Sequence, residues 1–343
     1  MLIEEELKRY SRQIILPEIG ISGQEKLKNA KVLMIGAGGL GCPVLQYLAA
    51  AGLGELGIVD DDVVDISNLH RQILYNGNDI GLSKAVVARE KLRLLNPNIL
   101  ITAYAVRITD ENAGSILKGY DLVIDGTDNF ETRYLVNDTC VSLKKPLVFG
   151  SIFKFEGHVS VFNLENGPNY RDFFPEAPPA DEVPNCGEIG VLGVLPGIIG
   201  TYMANEAIKV ICGIGETLSG KLLTIDALNN STNIFKISKE VKPSTPVLPP
   251  PIKEMSMDEL QILLVERPNE TYLVDVREAY EFEEYNIGGT NISLYELTDH
   301  LKALPQDKKL VFCCQTGHRS IMAIRLLEPL FKGEMYSLKN GLN

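Results

Sequence analysis

The first half of the chain alternates short apolar runs with longer segments of helical periodicity. Val32 to Ile35 predicts a buried strand, and Pro43 to Gly52 predicts the helix that follows, because proline suits the first turn of a helix. Later apolar runs predict four more strands, at 55–64, 99–105, 120–129 and 145–150. Strands that alternate with helices are typical of an α/β fold around a parallel sheet.

The pattern changes after the fifth predicted strand. His158 to Phe162 begins a region that we expect to be antiparallel, and residues 165–188 are rich in proline, acids and asparagine, which predicts a mobile loop. An apolar helix is predicted from Val194 to Cys212, and a late strand from Leu222 to Asp226.

A proline-rich stretch, 242–253, marks the clearest domain boundary in the chain. We therefore predict a first domain over 1–240, a linker over 241–254 and a second domain over 255–343. The second domain is predicted to hold a short helix from Met257, a strand at Thr271–Arg277 and a strand that starts near Lys308 and leads into a cysteine-containing loop, with a further helix from Ser320.

Composition limits the class of protein. The 343 residues carry a net charge of −12, which disfavours a nucleic-acid surface, and no apolar run forms a clean membrane span. The six cysteines form no regular framework, and no signal peptide is recognised at the start, so we expect reduced thiols and a cytoplasmic protein.

Four glycines lie between the first strand and its helix: Gly36, Gly38, Gly39 and Gly41. Glycines let the backbone approach an anion, and the helix N-terminus supplies free N–H groups, so this turn predicts a phosphate site. Asp60 follows Gly36 by 24 residues, near the spacing of the acid that binds ribose hydroxyls in dinucleotide folds. A dehydrogenase fits these features as well as any other nucleotide-binding enzyme.

Cationic residues beyond Asp60 distinguish between these classes. Arg71 lies in a polar segment, and Lys84 lies in the first turns of the next predicted helix. Each alone is compatible with surface charge, but together they match an enzyme that binds a triphosphate. Asp128 and Asn129 follow the fourth strand, where a carboxylate can hold Mg²⁺, although Asp and Asn also favour turns and helix caps.

A strand in the second domain delivers two cysteines into a tight loop, Cys313-Cys-Gln-Thr-Gly-His-Arg319. Loop N–H groups and the following helix would favour a thiolate and bind an anion. Counting from Cys313 gives the nucleophile–arginine spacing of a phosphatase, whereas counting from Cys314 gives a shorter, rhodanese-like loop. We favour Cys314, since Gly317 then lies three residues after the nucleophile; a buried structural cysteine pair remains the third interpretation.

Together these motifs resemble the MoeB/ThiF/HesA adenylyltransferases of the ubiquitin-activating superfamily, fused to a rhodanese domain. The resemblance covers nearly the whole chain. It is carried by Gly36–Gly41, Val59–Asp62, Asn68–Gln72, Lys84, Asp125–Asn129, Cys186–Gly193, Asp275–Arg277, Gly288–Gly289 and the Cys314 loop. It implies a Rossmann-like doubly wound sheet with an antiparallel extension, plus a small α/β rhodanese-like domain.

The resemblance also implies a mechanism. ATP binds with its phosphates on Gly36–Gly41 and its ribose on Asp60, and Mg²⁺ binds Asp128. The C-terminal glycine carboxylate of a ubiquitin-like sulfur carrier protein ending in Gly-Gly attacks the α-phosphorus. Further nucleotide contacts are implied for Asp62, Asn68, Arg71, Gln72, Lys84 and Asn129.

Three further roles follow from the resemblance. Arg12 resembles an arginine that such enzymes supply across a homodimer interface. Cys314 would carry a persulfide, charged by a sulfur donor such as a cysteine desulfurase, and convert the acyl adenylate to a thiocarboxylate. Cys186 is a candidate partner in the acyl or disulfide step, and the linker would let the second domain move between donor and acceptor.

The chain departs from many relatives by lacking paired Cys-x-x-Cys motifs, so we predict no structural zinc. Three alternatives compete with sulfur-carrier activation. They are an adenylating enzyme of the same fold acting on a peptide or small molecule, an NAD-dependent oxidoreductase, and a non-catalytic scaffold that binds the carrier.

Overall fold

The computed structural model describes residues 1–175, 190–236 and 252–342, apart from positions 295, 299 and 329. The chain divides into two compact units, Met1–Val241 and Lys242–Asn343, and each is described here by itself. Both Cys186 and most of the predicted linker, 241–254, lie outside the described residues. The predicted domain boundaries therefore stay predictions.

The first unit is built on one large mixed sheet. Its strands are β1 (Lys31–Ile35), β2 (Glu55–Val59), β3 (Leu100–Tyr104), β4 (Leu122–Asp125), β5 (Leu147–Phe153), β6 (Glu156–Phe162), β7 (Lys221–Asp226) and β8 (Ser231–Lys236). Its described helices are α1 (Glu4–Arg9), α2 (Ser11–Ile14), α3 (Gly20–Asn29), α4 (Gly41–Ala50), α5 (Lys84–Leu95), α6 (Asp110–Leu117), α7 (Phe130–Leu143), α8 (Tyr170–Phe173) and α9 (Leu195–Cys212).

Strand order fixes where a ligand can bind. The sheet runs β3-β2-β1-β4-β5-β6-β7-β8, parallel from β3 to β5 and antiparallel from there on. From β1 the chain continues to β2 and β3 on one side of β1 in the sheet, and it then crosses to β4 on the other side of β1. Ile35 at the end of β1 is in register with both Val59 and Asp125, so the loops after three strands meet at one crevice.

Two apolar cores cover the two faces of this sheet. One contains buried residues of α4, α5 and α9, including Leu45, Ala88 and Met203, and the other contains residues of α6 and α7, including Leu117 and Val136. Helix α9 packs against α4 and against β5 and β6. This arrangement confirms the predicted doubly wound sheet with its antiparallel extension.

The predicted elements are found, but the strands expected at 55–64 and 120–129 already end at Val59 and Asp125, and two further features differ from the expectations. Helix α8 lies inside the segment expected to be a loop, because Asn169 caps it by accepting a hydrogen bond from the Arg171 N–H at 2.8 Å. Strand β8 was not predicted. All of its residues are exposed, so it has no buried face, and it is held by its antiparallel pairing with β7.

The second unit is a smaller α/β structure. Its parallel sheet has the order β11-β10-β12-β13-β9, with β9 (Glu254–Met255), β10 (Thr271–Asp275), β11 (Thr290–Asn291), β12 (Lys309–Cys313) and β13 (Met335–Leu338). The described helices are α10 (Met257–Glu266), α11 (Ala279–Glu284) and α12 (His318–Leu327), the last beginning two residues before the predicted Ser320. Among the described helices of either unit, none is long and apolar enough to cross a membrane.

Candidate nucleotide pocket and cysteine loop

The glycine turn is the tightest backbone feature of the crevice. Gly36 has φ +90°, a conformation that favours glycine, and its amide donates to the Val59 carbonyl at 2.8 Å. Gly41 begins α4 and packs so closely on the Gly36 carbonyl that a Cβ there would overlap the oxygen. Gly36, Gly38 and Gly39 of this turn line the crevice, so the turn exposes backbone without side chains there.

The acid at the end of β2 is joined to this turn. Asp60 accepts a hydrogen bond from the Ala37 N–H at 2.7 Å through Oδ2 and from the Asp62 N–H at 2.9 Å through Oδ1. Burial raises the pKa of Asp60, while these N–H groups and the Lys84 ammonium oppose the rise. Each carboxylate oxygen keeps a second lone pair, so Asp60 can still accept from a ribose hydroxyl.

Lys84 is a buried cation at the first position of α5. Its Nζ lies 2.9 Å from the Asp62 Oδ2, and its backbone N–H donates to the Asp62 carbonyl at 3.0 Å. The Lys84 side chain is buried, whereas the Asp62 side chain is 69% exposed. An anion that enters the crevice can therefore compete with Asp62 for a cation that solvent barely reaches.

These groups line one cavity of about 390 Å³. The predicted residues that line it are Gly36, Gly38, Gly39, Asp60, Asp62, Asn68, Arg71, Gln72, Lys84, Asp128 and Asn129. Gly41 does not line it, because its role is the close approach to Gly36. A single cavity thus brings together most of the residues that the sequence selected.

Residues 66–72 supply both an unpaired acceptor and a cation. Gln72 is buried and lines the cavity, yet its Oε1 has no hydrogen-bond partner within the described part of the chain. Arg71 is half-buried, and its Nη1 donates to the Ser67 carbonyl at 3.0 Å. An unsatisfied buried acceptor is costly in a folded protein, so a bound ligand with a donor group fits this position.

The loop after β4 presents a carboxylate to the same cavity. Asp125 is buried and accepts from both the N–H and the Oγ1 of Thr127, at 2.9 and 2.7 Å. Asn129 caps α7 by accepting from the Thr132 N–H at 2.9 Å, so the capping interpretation applies to it. Asp128 is exposed and has no hydrogen-bond or ion-pair partner among the described residues, which leaves its carboxylate available to a cation.

Sequence reasoning missed Arg133. It is buried in α7, lines the cavity and donates through Nη2 to the Thr127 carbonyl at 2.8 Å. Its guanidinium also lies 5.5 Å from the centre of the Phe149 ring, on β5. A cation–π contact with a distant strand leaves no local signal in the sequence, so only its four-residue spacing from Asn129 could have indicated it.

Besides Gly41, two predicted site residues of the first unit are not placed at this cavity. Arg12 lies exposed on α2 and does not line the cavity, and Cys186 lies outside the described residues. Helix α2 is anchored from both sides. The Asn96 Nδ2 donates to the Tyr10 hydroxyl at 2.8 Å, and the Gln13 Nε2 donates to the Gln24 Oε1 at 2.7 Å.

In the second unit the two adjacent cysteines point into different environments. Cys313 ends β12 and packs with Leu260 and Leu338, whereas Cys314 packs with Phe312 and Ala323. Both thiols are fully buried, and burial raises the pKa of Cys313. Because successive strand residues face opposite sides, only one cysteine can serve the loop.

The loop geometry favours Cys314. The Gly317 N–H donates to the Cys314 Sγ at 3.2 Å, and Gly317 itself has φ +92°. Arg319 is held by Glu281, with Nη1–Oε2 at 2.6 Å and Nη2–Oε1 at 2.7 Å. The arginine that a phosphatase would use for its substrate is therefore bound to a carboxylate, which favours the rhodanese-like interpretation.

Comparison with known proteins agrees with both units. Residues 10–247 match the ThiF family, and residues 256–343 match the rhodanese-like domain. A Mycobacterium tuberculosis protein named probable adenylyltransferase/sulfurtransferase MoeZ is 43% identical, over 99% of this chain and 93% of its own length. The sulfur carrier protein adenylyltransferase of Thermus thermophilus is 55% identical, over 71% of this chain and 91% of its own length.

A solved structure shows the same fold for the first unit. The crystal structure of E. coli MccB with ATP has a TM-score of 0.60 and 24% identity, over 69% of this chain and 73% of that one. Together with the matches of both family models and the two relatives, this shows that the chain is an enzyme of the ThiF family, of the adenylyltransferase and sulfurtransferase type, with a C-terminal rhodanese-like domain.

Proposed function

We propose that the protein adenylylates the C-terminal glycine of a ubiquitin-like sulfur carrier ending in Gly-Gly and then converts it to a thiocarboxylate. The observation that carries the first step is the convergence of the glycine turn, Arg71, Lys84 and Asp128 on one cavity. A dinucleotide-dependent oxidoreductase has no need for two cations and a free carboxylate around its pyrophosphate. The name of the Thermus thermophilus relative, sulfur carrier protein adenylyltransferase, supports the carrier as substrate.

In this proposal ATP lies with its phosphates over Gly36–Gly39 and its ribose beside Asp60. A carboxylate oxygen of the carrier attacks the α-phosphorus, the bond to the β-phosphate oxygen breaks, and pyrophosphate leaves with its electron pair. Lys84 and Arg71 bind phosphate oxygens and stabilise the charge that develops as the leaving group departs. The buried Gln72 Oε1, which is otherwise unpaired, accepts a hydrogen bond from a hydroxyl or amino group of the nucleotide.

The donor set around Asp128 fits Mg²⁺. Its exposed carboxylate lines the cavity and has no partner among the described residues, and magnesium prefers one or two carboxylates together with phosphate oxygens. Bound there, the ion would neutralise charge on the triphosphate. We keep the absence of zinc as a prediction.

The second step assigns Cys314 as the sulfur carrier of the enzyme. Its thiolate attacks the outer sulfur of a donor persulfide R–S–SH. The S–S bond of the donor breaks, R–S⁻ departs, and Cys314 now carries the persulfide. The persulfide then attacks the acyl carbon of the adenylate and displaces AMP. Attack by a second thiol, for which Cys186 is our candidate, on the Cys314 sulfur of this acyl disulfide releases the thiocarboxylate and leaves a disulfide that a cellular thiol must reduce.

Exchange of labelled pyrophosphate into ATP tests the first step. We expect exchange with Mg-ATP and a Gly-Gly-ended carrier, and none with the same carrier lacking its two final glycines. Asp128→Ala should abolish exchange while the protein still folds, and Asp121→Ala, at the other end of β4, should leave it unchanged. Failure of every Gly-Gly carrier from the same organism, or exchange driven only by a peptide or small carboxylate, would contradict the proposal.

Thiosulfate:cyanide sulfurtransferase activity tests the second step. We expect Cys314→Ser to lose it and Cys313→Ser to keep it, because Cys313 faces the opposite side of its strand. Loss in the Cys313 variant alone would reverse the assignment. Phosphatase activity that depends on either cysteine would restore the rejected interpretation of the loop.

A further inference from the structure

Two buried hydroxyls lie directly behind the Cys314 loop. Ser320, on α12, lies 3.8 Å from the Cys314 Sγ and donates to the Gly317 carbonyl at 2.7 Å. Its Oγ also lies 2.7 Å from the Oγ of Ser337, on β13. Both serines are buried, and among the described residues the hydrogen bonds of their hydroxyls go to each other and to the Cys314 loop.

We propose that the hydroxyls of Ser320 and Ser337 reorient their hydrogen bonds when the Cys314 thiol becomes a thiolate. Ser320 is the direct donor to the sulfur, and Ser337 is its positioning residue. This inference rests on the proposed sulfur transfer at Cys314. It adds a second donor to the Gly317 N–H, which already lies 3.2 Å from the sulfur. Because the thiolate both attacks the donor persulfide and is regenerated when sulfur leaves, the pair would act in both half-reactions.

The hydrogen bonds around Ser320 allow such a switch. With a neutral thiol, the Cys314 S–H donates to the Ser320 Oγ, and the Ser320 O–H donates to the Gly317 carbonyl. With a thiolate, the Ser320 O–H turns onto the sulfur and the Ser337 O–H donates to the Ser320 Oγ. The Gly317 carbonyl is not left unpaired, because it also accepts from the Ile321 N–H at 3.2 Å, and Ser337 lies 3.5 Å from it.

The charged groups near the loop do not supply this function. Arg319 on α12 is held bidentately by Glu281 of α11, and Arg277 is paired with Asp275 at the end of β10. Cys313, the adjacent thiol in the sequence, packs on the other side of its strand. Among the described side chains, Ser320 supplies the hydroxyl within reach of the sulfur, and Ser337 contacts that hydroxyl.

The test is the pH titration of thiolate absorbance in the full-length protein. For each variant the Cys314 signal is the difference from the same variant carrying Cys314→Ala, so the measurement does not require sulfur transfer. Ser320→Ala is expected to lower the ionisation constant about tenfold, moving the midpoint up by about one pH unit, and Ser337→Ala about threefold. The pH profile of sulfurtransferase kcat/KM should move by the same amount.

Ser256→Ala is the control, because Ser256 caps α10 and its hydrogen bonds stay with Glu259. It lowers stability without contacting the loop, and its midpoint should match that of the wild type. Ser320→Thr, which keeps a hydroxyl, should restore the wild-type midpoint. A folded Ser337→Ala or Ser320→Ala variant that titrates like the wild type would overturn the proposal. If the serine variants show the expected shift of the midpoint but the Cys314→Ser variant keeps full sulfurtransferase activity, the proposed function is overturned instead.

Discussion

The Asp60 carboxylate accepts a hydrogen bond from the Ala37 backbone N–H at 2.7 Å, which joins the end of β2 to the glycine turn after β1. The Tyr75 hydroxyl donates to the carbonyl of the same Ala37 at 2.8 Å. Both backbone polar groups of Ala37, in two successive peptide links, are therefore fixed by side chains from other segments. This holds the turn in the open shape that a phosphate requires.

The turn should be far less tolerant of a methyl group at Gly41 than at Gly38. A Cβ at Gly41 would overlap the Gly36 carbonyl, whereas a Cβ at Gly38 would meet only the Gln72 Nε2 at 3.6 Å. We expect Gly41→Ala to lower the free energy of unfolding by about 3 kcal/mol and Gly38→Ala by less than about 1 kcal/mol. Urea unfolding followed by circular dichroism measures both. Equal losses would show that the contact with the Gly36 carbonyl does not constrain the turn.

Stability should depend on pH through Asp125. Burial raises the pKa of Asp125, and Arg133 opposes the rise, so the folded protein holds this proton to higher pH than the unfolded chain. Stability from this group is therefore complete below the ordinary pKa of about 3.9 and falls as pH rises through the folded pKa. Asp125→Asn, whose Oδ1 can still accept from Thr127, should gain relative stability as pH rises from about 4.

Denaturant titrations at a series of pH values from about 4 upward measure the free energy of unfolding of wild type and Asp125→Asn, and so check this prediction. Arg133→Ala should make the loss of stability with rising pH steeper, because the buried carboxylate then lacks its cation. A stability difference between Asp125→Asn and wild type that does not change with pH would refute the coupling.

Arg12 is predicted to act across a homodimer, and mixing variants can show it. Arg12→Ala and Asp128→Ala proteins should each be inactive in pyrophosphate exchange. Refolded together in equal amounts, they should recover about a quarter of wild-type activity, since half of the dimers are mixed and one site of each is intact. No recovery, with mixed dimers demonstrated, would place Arg12 in the site of its own chain. Arg9→Ala is the control, because Arg9 donates to the Leu95 carbonyl instead.

The second unit depends on a buried ion pair. Arg277 and Asp275 are both buried, with Nη2 2.8 Å from Oδ2, and Arg277 also donates to the Tyr285 carbonyl at 2.6 Å. Asp275→Ala leaves the guanidinium uncompensated and should cost about 3–5 kcal/mol. Glu270→Ala breaks the exposed Arg267–Glu270 pair of the same unit and should cost less than about 1 kcal/mol. Thermal unfolding separates them, and similar losses would contradict the buried-pair argument.

Much of the crevice could be predicted from the sequence, because Gly36, Asp60 and Asp128 each follow a strand in the parallel part of the same sheet. Once the strands were recognised, their carboxyl ends had to meet at one edge. The choice of Cys314 over Cys313 likewise followed from local spacing, and the alternation of side chains along β12 supports it.

The features that sequence reasoning missed depend on contacts between distant segments. Arg133 is fixed by the Thr127 carbonyl and the Phe149 ring, and Ser337 meets Ser320 only because β13 lies beside α12. Strand β8 has no buried face, so its pattern is that of a loop. Neither periodicity nor spacing along the chain carries such information.

Intact mass spectrometry of the carrier tests the central claim most directly. A Gly-Gly carrier incubated with Mg-ATP, a persulfide donor, a reducing thiol and the wild-type enzyme should gain one sulfur in place of one oxygen. The Cys314→Ser enzyme should stop at the carrier adenylate, and Asp128→Ala should leave the carrier unmodified. Thiocarboxylate formed by the Cys314→Ser enzyme, or wild-type enzyme that never forms an adenylate, would contradict the account.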